Sequence, residues 1–224
     1  MASSYVQDVW RDRVIAEYHS AAISAELLHW LIQTGVSPDT IDLCHRIVKE
    51  ELQHAEICRD IYLYAGGSMD QIPISHHNLS YTEELGQPSP LRALSMCTRV
   101  FCCGETVAVP LFKELLRRAT HPKPVAVLKQ ILADEAGHQY FGWDLLDELL
   151  TLMGPPAHRW IKQRIPSYIE DVRQLYYSEI QYCSSEDQQW GLMPAGMYSQ
   201  IAQTCLDDTV QSRFVHRGLL DINR

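Results

Sequence analysis

The chain interrupts its helical pattern at a few places, and the spacing of those breaks limits what it can fold into. Small and apolar residues recur at helical spacing from about Tyr5 to Gln33, and the run stops at Gly35-Val36-Ser37-Pro38. Ser37 then offers an N-cap, and Pro38 a first-turn proline, to a second helix that runs to about Tyr64 and stops at Gly66-Gly67. A third helix is expected after Pro88-Ser89-Pro90, ending near His121-Pro122, and a fourth from Pro124 to Gly154-Pro155-Pro156. Only a few residues separate helix one from two and three from four, so each pair is predicted to be an antiparallel hairpin. Between the hairpins lie roughly twenty polar residues containing Pro and Gly, Gly67 to Ser89. A helix of ~28 residues is ~42 Å long, a distance that ~20 extended residues can cover. The expectation is an all-α four-helix bundle with a long crossover between helices two and three.

Two further amphipathic helices are expected around Arg159–Ile180 and Tyr198–Arg217, with Pro166 interrupting or kinking the first. They read as accessory C-terminal helices (157–219) packed on a core bundle (5–152), giving a single domain over 1–224. A chain of 224 residues can bury one substantial core. The net charge of -9, with no basic stretch longer than pairs such as Arg117-Arg118, argues against nucleic acid as a partner. The N-terminal segment is polar and lacks the apolar run of a signal peptide, and no uncharged run approaches the ~18 residues of a membrane span. Seven cysteines, an odd number with no Cys-x-x-Cys and a vicinal Cys102-Cys103, suit reduced core thiols and hence a cytoplasmic location.

Two Glu-x-x-His motifs carry the chemistry: Glu51 with His54, and Glu135 with His138. Residues three apart share a helix face, so one carboxylate and one imidazole can reach the same ion. Each motif has a lone glutamate upstream, Glu17 by 34 residues and Glu105 by 30. Folding each hairpin at its short turn brings that glutamate level with its motif, so four carboxylates and two imidazoles converge on the bundle axis. Chance alone yields ~0.6 such pairs in a chain of this composition, and decoys exist: Glu26 with His29, and Asp42 with His45. Glu26 lies nine residues after Glu17, half a turn away on the opposite face with His19, His29 and Gln33. Asp42 lies nine before Glu51 and is read as a first-turn acid favoured by the helix dipole. Glu105 sits in an otherwise apolar stretch, where an unpaired carboxylate would be costly.

With this ligand spacing and hairpin order, residues 5–152 resemble the ferritin-like superfamily of di-iron carboxylate proteins. The resemblance implies two iron ions, or iron with manganese, held by Glu17, Glu51, His54, Glu105, Glu135 and His138, which would also be the catalytic set. It implies dioxygen as co-substrate and an external electron donor, since no flavin or nicotinamide fingerprint is present, and it leaves a homodimer open. Departures from individual members are informative. Rubrerythrin-like peroxidases carry a Cys-x-x-Cys that is absent here. Cys58 stands where ribonucleotide reductase subunits place a radical tyrosine, Ile131 where arylamine oxygenases add a histidine, and Val109 where multicomponent monooxygenases have a threonine. The expected activity is a non-haem di-iron oxidase or oxygenase acting on a small organic molecule. Ferritin-like iron storage or detoxification, a peroxidase and a tRNA hydroxylase are the alternatives, the last disfavoured by the acidity.

Substrate contacts are expected from Phe101, Cys102, Ala108 and Phe112, with Cys58 and Gly142 on the same ligand face and Tyr168, Tyr176, Tyr177 and Trp190 available to cover a pocket. Pro110 cannot donate to the carbonyl of Thr106, which should distort the third helix beside the site.

Overall fold

A computed structural model describes residues 2–72, 74, 79–177 and 182–221, and among them it is helical with no strand. Helix α1 (Ser4–Thr34) opens on Ser3, whose side chain accepts from the Val6 amide. It closes on Gly35 at φ 78°, whose N–H bonds the Leu31 carbonyl; a side chain would be strained in that left-handed conformation. Ser37 caps α2 (Pro38–Tyr64) through the Thr40 amide, and Glu148 accepts from the Ser37 amide at 2.6 Å, tying this turn to a later helix. The acid in the first turn of α2 is Asp39, so Asp42 stands beyond the reach assigned to it above.

The third long helix is continuous over Ser89–Arg118 but irregular. It comprises α3 (Ser89–Met96), a π-helical segment over Cys97–Glu105, and α4 (Thr106–Arg118). The distortion expected from Pro110 therefore lies on its N-terminal side. With the proline N–H missing, Thr106 O takes a hydrogen bond from Cys205 Sγ at 3.4 Å instead. This helix has the length and hydropathy of a membrane span, yet 67% of its most apolar window is buried inside the protein, as in a core helix.

Helix α5 (Pro122–Met153) completes a closed ring in which α1 packs on α2, α2 on α5, α5 on the third helix, and α3 on α1. The Gln7 side chain bonds the Ala65 carbonyl at one end of α1, and Ser89 bonds Gln33 at the other. The connection from Ala65 to Ser89 thus travels the length of α1 between those residues, ~39 Å at 1.5 Å per residue. It is tied down midway by Tyr81, whose amide donates to Glu26 and whose hydroxyl meets Ser95. Residues 73 and 75–78 of this connection lie outside the described residues.

The C-terminal part begins with α6 (Pro155–Lys162) and α7 (Ile165–Leu175), separated at Gln163-Arg164. Pro166 occupies the first turn of α7, where its missing N–H costs nothing, so it starts a helix rather than kinking one. The stretch expected to be helical to Ile180 ends at Leu175, and residues 178–181 lie outside the described residues. A short α8 (Ser185–Gln188) carries a capping box between Ser184 and Asp187. Then α9 (Ala195–Cys205), a second π-helical turn (Leu206–Val210) and α10 (Gln211–His216) follow. Helix α7 lies on the first π-helical segment and α9 on α4, while α1 hardly touches α4. That gap between α1 and α4 holds the cavity described below.

Candidate metal centre

Glu17 comes from α1, Glu51 and His54 from α2, Glu105 from the last position of the π-helical segment, and Glu135 and His138 from α5. All six are between 0% and 9% exposed, a degree of burial that charged side chains tolerate only when paired. They form two overlapping groups whose ligand atoms lie within 4.8 Å of one another: Glu17, Glu51, His54 and Glu135, and Glu105, Glu135 and His138. Either group could hold a metal ion, and Glu135 belongs to both.

The imidazoles fix the polarity of the cluster. His54 Nδ1 faces Glu17, Glu51 and Glu135 at 3.6, 3.7 and 3.7 Å. His138 Nδ1 faces Glu51 at 3.1 Å and Glu135 at 3.5 Å. Neither nitrogen has a hydrogen-bond partner, and Glu51 Oε2 and Glu135 Oε2 are likewise buried without one. Leaving one such atom unsatisfied costs about 1–3 kcal/mol. Four such atoms within one buried cluster are the pattern expected where cations bind.

The opposite nitrogens are spoken for. His54 Nε2 lies 3.0 Å from Asp134 Oδ2, and His138 Nε2 lies 3.1 Å from Glu50 Oε2. Each partner stands immediately before a motif glutamate but on the other helix: Asp134 of α5 serves His54 of α2, and Glu50 of α2 serves His138 of α5. These carboxylates accept from Nε2–H, so that Nδ1 is the nitrogen turned inward and, once its proton is displaced, the one available to a metal. Neither residue is among the sequence-predicted set. The available signal was an acid directly preceding each Glu-x-x-His.

The charges are strongly interdependent. Burial raises Glu17 and drives Glu105 well above the usual carboxylate range, the latter reinforced by the charge of Glu135. Glu135 itself is raised to about 8, by burial and then by Glu51. Burial acts on Glu51 too but is outweighed by its interaction with His138 and His54, which holds it at about 2. Burial would lower both histidines, yet the surrounding carboxylates lift His54 to about 12 and His138 to about 9. Without a metal, then, protons play the part of the counter-charge.

Glu26 lies elsewhere. It is half-buried, accepts from the Tyr81 amide at 2.9 Å and pairs with Arg92. His29, Asp42 and His45 are exposed, so neither decoy pair reaches the cluster.

A cavity of about 500 Å³ opens onto the Glu17, Glu51, Glu105 and Glu135 side of the cluster. Its walls are mostly apolar: Val9 and Ile23 from α1, Val100, Ala108, Leu111, Phe112 and Leu115 from the third helix, with Leu175, Tyr176 and Tyr198 as a cover. Ala108 and Phe112, two of the expected substrate contacts, line this cavity. Phe101 and Cys102 do not line this cavity. Phe101 packs on Phe141 with ring centroids 5.4 Å apart, and Cys102 Sγ donates to the Gly142 carbonyl at 3.2 Å. The reason is the wider π-helical turn, which breaks the 3.6-residue reckoning and presents Val100 and Gly104 in their place. Cys58 is buried near Glu17 and Glu51, and Gly142 meets Phe101 rather than open space. Of the aromatics expected to cover a pocket, Tyr176 does so, whereas Tyr168 bonds Ser95, Tyr177 is exposed and Trp190 stacks near His121. Against family models, curated proteins and solved structures, the chain matches none.

Proposed function

We propose that the chain is a ferritin-like carboxylate-bridged dimetal protein, and that it uses two iron ions, or iron with manganese, to oxidise a small organic substrate with dioxygen. The observation that supports this reading is the convergence of the two unpartnered Nδ1 atoms with unpartnered oxygens of Glu51 and Glu135. That donor set fits first-row metals and follows the di-iron pattern of a glutamate on each of two helices and Glu-x-x-His on each of the other two. Glu51 and Glu135, each facing both histidines, would help to hold the metals. Glu17 with His54, and Glu105 with His138, would complete one ion each. Bound there, the metals would supply the one-electron steps that dioxygen chemistry requires.

The chain's own part is positional. Asp134 and Glu50 hold the imidazole tautomers, and the apolar cavity walls bring an organic molecule to the Glu17 and Glu105 side while limiting water. That cavity favours substrate oxidation over iron storage. A separate protein or reductant would deliver electrons.

The test is to load the protein anaerobically with ferrous iron, remove the excess and count metal per chain, then follow oxygen consumption on admitting air. About two ions per chain are expected, with Glu51→Ala and His138→Ala each losing metal. Fewer than one iron or manganese per chain in the unaltered protein would overturn the reading.

A further inference from the structure

Among the described residues lining the cavity, Arg13 is the single Lys or Arg side chain, and it is poised to receive an acid. Arg13 lines the wall one helical turn before Glu17, a separation of ~6 Å along the axis. Its guanidinium lies over the Trp10 ring at 4.3 Å, with the Phe112 ring at 5.8 Å, and hydrogen-bonds the Tyr198 side chain. Arg13 Nη1 is buried with no hydrogen-bond partner. Among the described residues no carboxylate pairs with Arg13: its neighbour Asp12 is taken by Arg11 at 2.9 Å, and the glutamates of the cavity converge on the metal cluster. A planar fork held on aromatic faces with an unused donor is suited to bidentate capture of a carboxylate. The rest of the wall, from Phe112 and Leu111 to Ile23 and Val100, offers hydrocarbon contact.

We propose that the substrate is an apolar monocarboxylic acid, its carboxylate held by Arg13 and its hydrocarbon part passing the Glu17 and Glu105 corner toward Ile23 and Val100. This assignment rests on the reading of the cavity as the place where substrate meets the metals. It deepens that reading by naming the substrate class. The short distance from Arg13 to Glu17 places the reacting carbon close to the carboxylate end of the molecule.

Calorimetric binding of octanoate and of octanamide to zinc-loaded protein tests this, with the metal content of each sample counted in parallel. Octanoate should bind about tenfold or more tightly than the amide, the factor expected for one charge-assisted pair. Arg13→Gln should remove that preference, while Arg13→Lys should retain most of it. Equal binding of acid and amide, or no binding of either, would overturn the proposal. So would an acid preference that Arg13→Gln leaves intact, since the metals would then be taking the carboxylate. The acid and amide comparison is made on the unaltered protein and does not depend on how the variants fold. Zinc near zero with the acid preference present would sink the dimetal reading alone; two metals without the preference would sink only the carboxylic-acid assignment.

Discussion

Asp134 of α5 accepts from His54 of α2 at 3.0 Å, while Glu50 of α2 accepts from His138 of α5 at 3.1 Å, so each motif is oriented by the acid that precedes the other. Asp134→Asn and Glu50→Gln keep the shape but weaken the grip on the imidazole tautomer. Each is expected to lower metal affinity 10- to 100-fold, measured by competition with a chelator, with little change in helix content.

Replacing Glu17 and Glu26 separately by Ala should give opposite results. Glu17→Ala should release metal, because its carboxylate lies 3.6 Å from His54 Nδ1. Glu26→Ala should keep full metal content but loosen the crossover, where it accepts from Tyr81 and Arg92. A loss of about 1–2 kcal/mol in urea unfolding is expected for those two contacts.

Two glycines of α5, five residues apart, should respond differently to alanine. A Cβ at Gly142 would stand 2.6 Å from Phe101 Cβ and 2.8 Å from its backbone carbon. That is where α5 approaches the π-helical segment, so Gly142→Ala should destabilise by about 1–3 kcal/mol. Gly137 has nothing within 4 Å of the added atom, and Gly137→Ala should stabilise by about 0.5–1 kcal/mol through helix propensity. Urea midpoints of the two variants check both signs.

The metal-free protein should lose stability as pH rises across the neutral range. Glu135 is raised from 4.5 to about 8, by burial and then Glu51, and His138 from 6.5 to about 9, where Glu51 outweighs burial. Between pH 4.5 and 9 the folded state therefore binds more protons than the unfolded chain, and stability falls with pH. Glu51, lowered to about 2 by the histidines against the effect of burial, acts oppositely, and its contribution disappears as pH falls from 4.5 toward 2. Chelator-treated protein should melt at a higher temperature at pH 5 than at pH 8.5, whereas metal uptake, which displaces those protons, should tighten over the same range. A melting temperature that climbs from pH 5 to 8.5 would contradict this.

The four long helices and the six clustered side chains were legible because they obey one regular rule: three residues along a helix return to the same face, and Gly or Pro ends the run. Glu17 and Glu26 separate on that rule alone. Asp134 and Glu50 escaped it because each sits about 100° round the helix from the ligand face and acts on the neighbouring helix, so the acid before each motif gains its meaning from the packing of α2 on α5. Phe101 and Cys102 were misplaced for a different reason, since the rule itself fails in a wider turn. Arg13 was hidden because only the fold brings it over Trp10 and Phe112 and into the cavity wall.

The irregular stretch from Cys97 to Glu105 works as a phase shifter. It leaves the chain helical on both sides but sets α4 out of step with α3, and Glu105 stands at the point where the new phase begins. A π-turn rotates less per residue than an α-turn, so drawing the same number of residues into a regular α-helix would turn Glu105 out of its present phase relative to Ser89–Met96. The fourth carboxylate is thus specified less by its own identity than by the wide turn that precedes it. Any change that lets this stretch become a regular α-helix at unchanged length should therefore be far more damaging to the site than most substitutions there.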